Sequence, residues 1–146
     1  MESINSFSGK YHFLSNFYPC EVMFQGILYP SSEHAYQAHK SLDIETREYI
    51  STLETPNLAK KAGKMLDVRN DWDEVKYEIM YEIVKAKFIQ NLNLQLNLLD
   101  TGDCQIIEGN HWHDQIWGQC YCPKHYDLEG TNWLGKILMQ IRDEIR

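Results

Sequence analysis

Between Tyr29 and Asp43 the chain reads YPSSEHAYQAHKSLD, which packs a glutamate, two histidines, a tyrosine, a glutamine and a lysine into one short helical stretch. In a helix beginning at Glu33, residues Glu33, Tyr36, Gln37 and Lys40 follow i, i+3, i+4, i+7 spacing and share one face, with His34 and Ala38 on the neighbouring stripe. A carboxylate and an amine about two turns apart can cooperate at a sugar. The carboxylate can stabilise a developing cation or activate water, and a lysine whose pKa is lowered by its neighbours can attack an aldehyde-level carbon. The helix N-terminus favours the ionised form of Glu33, which suits it to base or electrostatic work rather than to general-acid work. By periodicity alone the plainer reading is a solvated face. Against it stand the flanking aromatic residues and the scarcity of docking residues, since the apolar positions are two alanines and a tyrosine.

Two other groups could carry chemistry. In CYCPKH, residues Cys120, Cys122 and His125 stand close together with His111 and His113 upstream, a set able to ligate zinc. No paired CxxC accompanies them, so plain thiols are the simpler reading and the expectation is no metal, with zinc at Cys120, Cys122 and His125 as the minority alternative. Among the four tryptophans, Trp133 is expected in the core. Trp117, in IWGQ, is better placed to stack on a flat ring, and Trp72 suits either role.

The elements that must position these residues follow from local signals. FLSNFYPCEVMFQGILYP reads as extended structure with a turn near Gly26, after which Ser31 or Ser32 can cap the helix starting at Glu33. A second helix is expected around Glu45 to Leu53. Thr55 followed by Pro56 starts a third, ending near Met65. Asp71 can cap a long helix from Trp72 to about Gln90, with Val75, Ile79, Ile83 and Phe88 on its buried face. A shorter helix over Leu92 to Asp100 precedes CQIIEG, which reads as one buried strand. The segment NHWHDQIWGQCYCPKHYDLEGTN is too long for a plain connector and its aromatics argue against disorder. A closing helix, Trp133 to Ile145, carries Leu134, Ile137, Leu138 and Ile141 at helical spacing. The expected fold is a compact, helix-rich α+β single domain over residues 1–146 with a small β-sheet.

A net charge of −7 argues against a protein that coats long nucleic acid, because such affinity comes from neutralising many phosphates. It leaves room for a nucleotide or one modified base, and Lys60, Lys61 and Lys64 form a local basic patch. No apolar run is long enough for a membrane span, and MESINSFSGKYH resembles neither a signal peptide nor a transit sequence, so a cytoplasmic protein without a membrane partner is expected.

Together FLSNFYP, SSEHAYQAHK, DWDEVKYEIMYEIVKAKF, the WG of Trp117 and Gly118, and GTNWLGKILMQIR resemble, in order, the NADAR family, the group that includes the YbiA-like N-glycosidases. The resemblance implies a mostly helical α+β fold, cleavage of an N-glycosidic bond between ribose and a base or amine nitrogen, and no cofactor. It implies Glu33 and Lys40 as catalytic residues, Glu33 for charge stabilisation or proton removal and Lys40 as a Schiff-base nucleophile. Trp72 and Trp117 would bracket a base or sugar, and Asn16 and Asn132 would hydrogen-bond hydroxyl or phosphate oxygens. Phe17, Tyr36 and Gly118 complete the implied substrate-binding set. The implied substrate is nucleotide-like: ADP-ribosylated guanine in nucleic acid first, then a phosphoribosylamino-pyrimidine of riboflavin synthesis, with a non-catalytic NAD or ADP-ribose binding module as the remaining reading. The segment QCYCPKHYDLEG between Trp117 and Asn132 is longer than the glycine-rich link of simpler members, which bears on substrate choice.

Overall fold

The computed structural model describes residues 2–146. The chain packs as two compact units, one formed by Asn16–Leu92, the other by the chain up to Ser15 together with Asn93–Arg146. The architecture is helix-rich α+β, and among the described residues the strands form three two-stranded sheets instead of one small sheet.

In the first unit, β2 (Val22–Phe24) and β3 (Ile27–Tyr29) form an antiparallel hairpin. Gln25 and Gly26 both have positive φ, 47° and 85°, as a type I′ turn requires, so the turn expected near Gly26 forms. Four helices follow: α1 (Ser32–Ala38), α2 (Ile44–Ser51), α3 (Pro56–Lys64) and α4 (Trp72–Gln90). The Thr55 hydroxyl accepts the Leu58 N–H at 3.1 Å, and Pro56 fills the first turn where an N–H is dispensable. On α4, Ile79, Met80, Ile83, Val84 and Phe88 are buried, whereas Val75 is only half-buried. Asp71 does not cap α4 with its side chain, because its carboxylate is taken by a two-pronged ion pair with Arg69 at 2.6 and 3.0 Å.

The second unit opens with β1 (Ser3–Ile4) and a 3₁₀ helix (Gly9–Leu14), so the start of FLSNFYP is helical, not extended. Helix α5 (Leu92–Asp100) begins at the boundary between the units. The single strand expected in CQIIEG is only β4 (Gln105–Ile106), parallel to β1, and the chain then turns into β5 (Gly109–Asn110), parallel to β6 (Gln119–Cys120). Helix α6 (Trp133–Ile145) buries Leu134, Ile137, Leu138 and Ile141 and packs on β4. Its first N–H groups are satisfied by carbonyls, not by a capping side chain. Asn132, Trp133 and Leu134 donate to Gly118, Ile116 and Trp117 at 3.3, 3.1 and 3.0 Å. Trp133, expected in the core, is 38% exposed, because it sits in the first turn of α6 with Lys136 Nζ 5.4 Å from its ring. Among the described residues no helix is long and apolar enough to cross a membrane.

Candidate active site

Every residue from Ser31 to His39 is buried. This short helix, rich in polar side chains, is buried along its whole length, and the solvated-face reading fails. Helices α2, α3 and α4 and strands β2 and β3 all pack on α1, so no side of it is left for solvent. Burial of so many polar groups is tolerable when most are paired, and in this segment Gln37 Oε1 and His39 Nε2 are the buried side-chain atoms left without a hydrogen-bond partner.

Pairing starts at the helix entry. Ser31 caps α1 by accepting the His34 N–H at 3.2 Å, and its hydroxyl meets His34 Nδ1 at 2.6 Å. His34 Nε2 lies 2.9 Å from the Leu53 carbonyl, an acceptor only, so Nε2 carries the proton and Nδ1 accepts from Ser31. Burial lowers the His34 pKa, with the Leu53 bond opposing. His39 is pushed down to about 4 by burial, with the Arg47 and Arg69 cations adding to the effect. Both imidazoles are neutral at neutral pH; His34 is a structural tie, whereas His39 packs its ring against Phe24 and Tyr29 and leaves Nε2 buried without a hydrogen-bond partner.

Asn16 sits under the same helix start. Its carbonyl oxygen accepts the Glu33 N–H at 3.0 Å, its side-chain oxygen accepts the Ser32 hydroxyl at 2.9 Å, and its amide nitrogen donates to Met80 Sδ at 3.4 Å. The structure thus places Asn16 as a clamp that fixes the height of Glu33.

Glu33, 7% exposed, receives the Gln37 Nε2–H on Oε2 at 2.7 Å, a contact one helical turn long. The helix stops at Ala38, so Lys40 is not on it as expected. Lys40 follows in a tight turn, its N–H donating to the Gln37 carbonyl at 3.2 Å, while its own carbonyl accepts from Arg69 at 2.8 Å. Lys40 nonetheless stays in the field of Glu33. Its pKa is lowered first by burial; Glu33 pulls it up, and Lys60, Lys64 and Lys76 press it down. Lys40 Nζ stands 6.0 Å from the centre of the Tyr36 ring, and Tyr36 leans on Trp72 with ring centres 5.1 Å apart. Phe17, half-buried, has Lys60 Nζ 5.9 Å from its ring. Glu33, Tyr36, Lys40 and Trp72 are therefore one cluster: a carboxylate, an amine and an aromatic wall.

Gly63 on α3 sets the depth of this cluster. A Cβ there would overlap Gln37 Oε1 and lie 2.7 Å from its Cδ. The substitution Gly63→Ala displaces Gln37 and takes its hydrogen bond from Glu33. Turnover should fall about 10- to 100-fold, as misplaced catalytic groups do. Stability should change by less than about 2 kcal/mol, because overpacking is offset by the better helix propensity of alanine. Steady-state kinetics beside thermal unfolding checks the pair.

Trp117, Gly118 and Asn132 lie in the other unit. Trp117 is half-buried, its N–H held by Asp114 Oδ1 at 2.8 Å. At Gly118 any Cβ would overlap the Glu108 carboxylate and carbonyl, so the residue is required by close packing. Asn132, with φ 52°, accepts the Glu108 N–H at 3.0 Å and donates to the Ile106 carbonyl at 2.9 Å, tying β4 to the start of α6.

Sequence reasoning missed Lys87, fully buried on α4 with its amine 5.2 and 5.8 Å from the Phe88 and Tyr18 rings. Burial lowers its pKa to about 8, with Cys20 opposing. Its signal was available, because Lys87 continues the buried stripe of Ile79 and Ile83 at four-residue steps. Of the two upstream histidines that the sequence set beside Cys120, Cys122 and His125, the structure brings His113 to them; the four ligand atoms lie within 4.8 Å of one another.

With this geometry in view, likeness to known proteins is informative. The model of the NADAR domain matches residues 5–146. The chain is 39% identical to a riboflavin biosynthesis protein of Vibrio vulnificus over 92% of its own length, but spans only 35% of that protein. It is 33% identical to the N-glycosidase YbiA of Escherichia coli, covering 96% of this chain and 85% of YbiA. The NMR structure of E. coli YbiA superposes with a TM-score of 0.82 at 31% identity, over 99% of this chain and 86% of that one. The buried EH helix with its glutamate, glutamine and following lysine thus stands in a chain that belongs to the NADAR domain family.

Proposed function

We propose that the chain is an enzyme, a hydrolase that cleaves the bond between a ribose anomeric carbon and a base or amine nitrogen in a nucleotide-like substrate. The observation that carries the reading is Glu33, buried, hydrogen-bonded by Gln37 and within the field of Lys40, whose amine burial pushes towards its neutral, nucleophilic form. The name N-glycosidase borne by YbiA agrees with it.

In the proposed reaction the Lys40 amine attacks C1′ and the C1′–N bond breaks with its electron pair leaving on nitrogen. Glu33 stabilises the positive charge on the ribose, takes the proton from Nζ and passes it to the departing nitrogen. Opening of the sugar ring gives a Schiff base between Nζ and C1′. Water then adds to that carbon, releases the ribose aldehyde and restores the lysine. The net change is addition of one water across the N-glycosidic bond. Tyr36 and Trp72 supply the apolar wall against which a ring can lie.

ADP-ribosylated guanine in nucleic acid is the first substrate of this reading. Helix α3 concentrates Lys60, Lys61 and Lys64 without an acidic residue in a chain of net charge −7, and a substrate bearing several phosphates matches that patch. A phosphoribosylamino-pyrimidine is the second, favoured by the riboflavin name of the Vibrio relative and by the overall negative charge. Both substrates should be offered to the purified protein and the products followed by mass spectrometry. ADP-ribose released from the oligonucleotide supports the first; cleavage of the pyrimidine alone assigns the second. If neither is cleaved while ADP-ribose binds, the pocket is a binding module.

A further inference from the structure

The segment between β5 and α6 is held from inside by four side chains that the proposed glycosidase chemistry does not use. Cys122 Sγ lies 3.0 Å from His125 Nδ1 and 3.3 Å from His113 Nδ1, the two imidazole Nδ1 atoms are 3.3 Å apart, and Cys120 Sγ is 3.9 Å from His113 Nδ1. A tetrahedral zinc with ordinary bond lengths sets sulfur and nitrogen ligands about 3.6 Å apart and two nitrogens about 3.3 Å apart. The observed separations bracket the first value and meet the second. The four ligand atoms lie within 4.8 Å of one another, close enough for one cation to be held by all four at once.

The backbone is arranged to the same end. Cys120 enters from β6, where it pairs with Asn110 of β5. Cys122 and His125 sit at either end of a turn in which the His125 and Tyr126 N–H groups donate to the Cys122 carbonyl at 3.0 and 2.8 Å. The Cys122 N–H points at Cys120 Sγ at 3.5 Å, the donor that a metal-bound thiolate attracts. His113 holds φ at 72°, a conformation that a non-glycine residue adopts when something fixes it. Both sulfurs are buried, Cys120 completely.

We propose that His113, Cys120, Cys122 and His125 bind one zinc ion that staples the segment between β5 and α6. Two thiolates and two imidazoles fill all four positions, leaving none for water or substrate, so the site is structural. Its reach includes Trp117. Asp114, next to His113, accepts the Ile116 and Trp117 N–H groups at 3.0 and 2.8 Å, so the metal fixes the turn that presents that indole.

The test is metal content of the whole chain, purified under reducing conditions and dialysed exhaustively. About one zinc per chain is expected in the parent and in Cys104→Ser, a thiol outside the cluster, and less than about a fifth of that in Cys122→Ser and in His113→Ala. Should those variants fail to fold, the parent stripped with a thiol reagent and chelator, then reduced, should take up one equivalent of cobalt(II) with tetrahedral and thiolate charge-transfer bands that zinc abolishes. A parent that carries no zinc and shows no saturable one-to-one uptake overturns the proposal. So does zinc retained equally by folded Cys122→Ser and His113→Ala.

Discussion

The substitution Glu33→Gln should leave a folded protein that binds its substrate and turns it over about 10²- to 10⁴-fold more slowly. The two side chains have the same shape, and the new amide oxygen can still accept the Gln37 N–H now 2.7 Å from Oε2, so packing of α1 is preserved. Only the charge and basicity are lost. The consequence for Lys40 sharpens the result. Glu33 raises the Lys40 pKa, so removing its charge lowers that pKa further and leaves the amine more neutral, hence a better nucleophile. A fall in rate is therefore not explained by a protonated lysine and belongs to the carboxylate itself. Single-turnover release gives the rate and calorimetry the affinity. A loss seen in KM alone, with kcat intact, would remove Glu33 from the chemistry and leave it a binding group.

The parts of this molecule that sequence discloses are those written in adjacent residues. Thr55 and Pro56 announce α3, Gln25 and Gly26 the hairpin turn, and the spacing of Leu134, Ile137, Leu138 and Ile141 the buried face of α6. The burial of α1 is written elsewhere. It depends on α2, α3, α4, β2 and β3 closing around a helix whose own residues are polar, and helical periodicity cannot distinguish a polar face turned to water from one turned to paired polar groups. The end of α1 at Ala38 is equally silent, since no glycine or proline marks the turn that carries Lys40 off the helix. Asp71 shows a local signal losing to a partner, its capping oxygen claimed by Arg69. Which of the two upstream histidines joins the cysteine and histidine cluster was hidden for another reason. His113 meets Cys120 and Cys122 because β5 and β6 pair, and strands of two residues leave no alternating pattern to read. The family pattern located Asn16 and Asn132, but geometry gives both a positioning duty, one beneath Glu33 and one at the start of α6.

The substitution Lys40→Met should lower kcat by at least about 10²-fold, the scale expected when a chemical group is removed from the reacting centre. Borohydride added during turnover should reduce the carbon–nitrogen double bond and leave a ribose-derived adduct on Lys40 of the parent, located by peptide mass spectrometry and absent from the variant. The pH dependence follows from what surrounds the amine. Only the neutral form attacks, so kcat should rise with pH through the Lys40 pKa, which burial sets below 10.5. Lys60 and Lys64 help to press it down; replacing both by glutamine lets it climb. The rising limb should then move to higher pH, with the rate lost near neutrality and recovered in alkali. Glu33→Gln should move whatever limb remains the other way. If the lysine pair changes KM and leaves the limb where it was, those cations hold phosphate and do not tune Lys40. If Lys40→Met keeps its kcat, water attacks C1′ directly with Glu33 as its base, and the lysine beside Tyr36 serves only to draw the anionic substrate in.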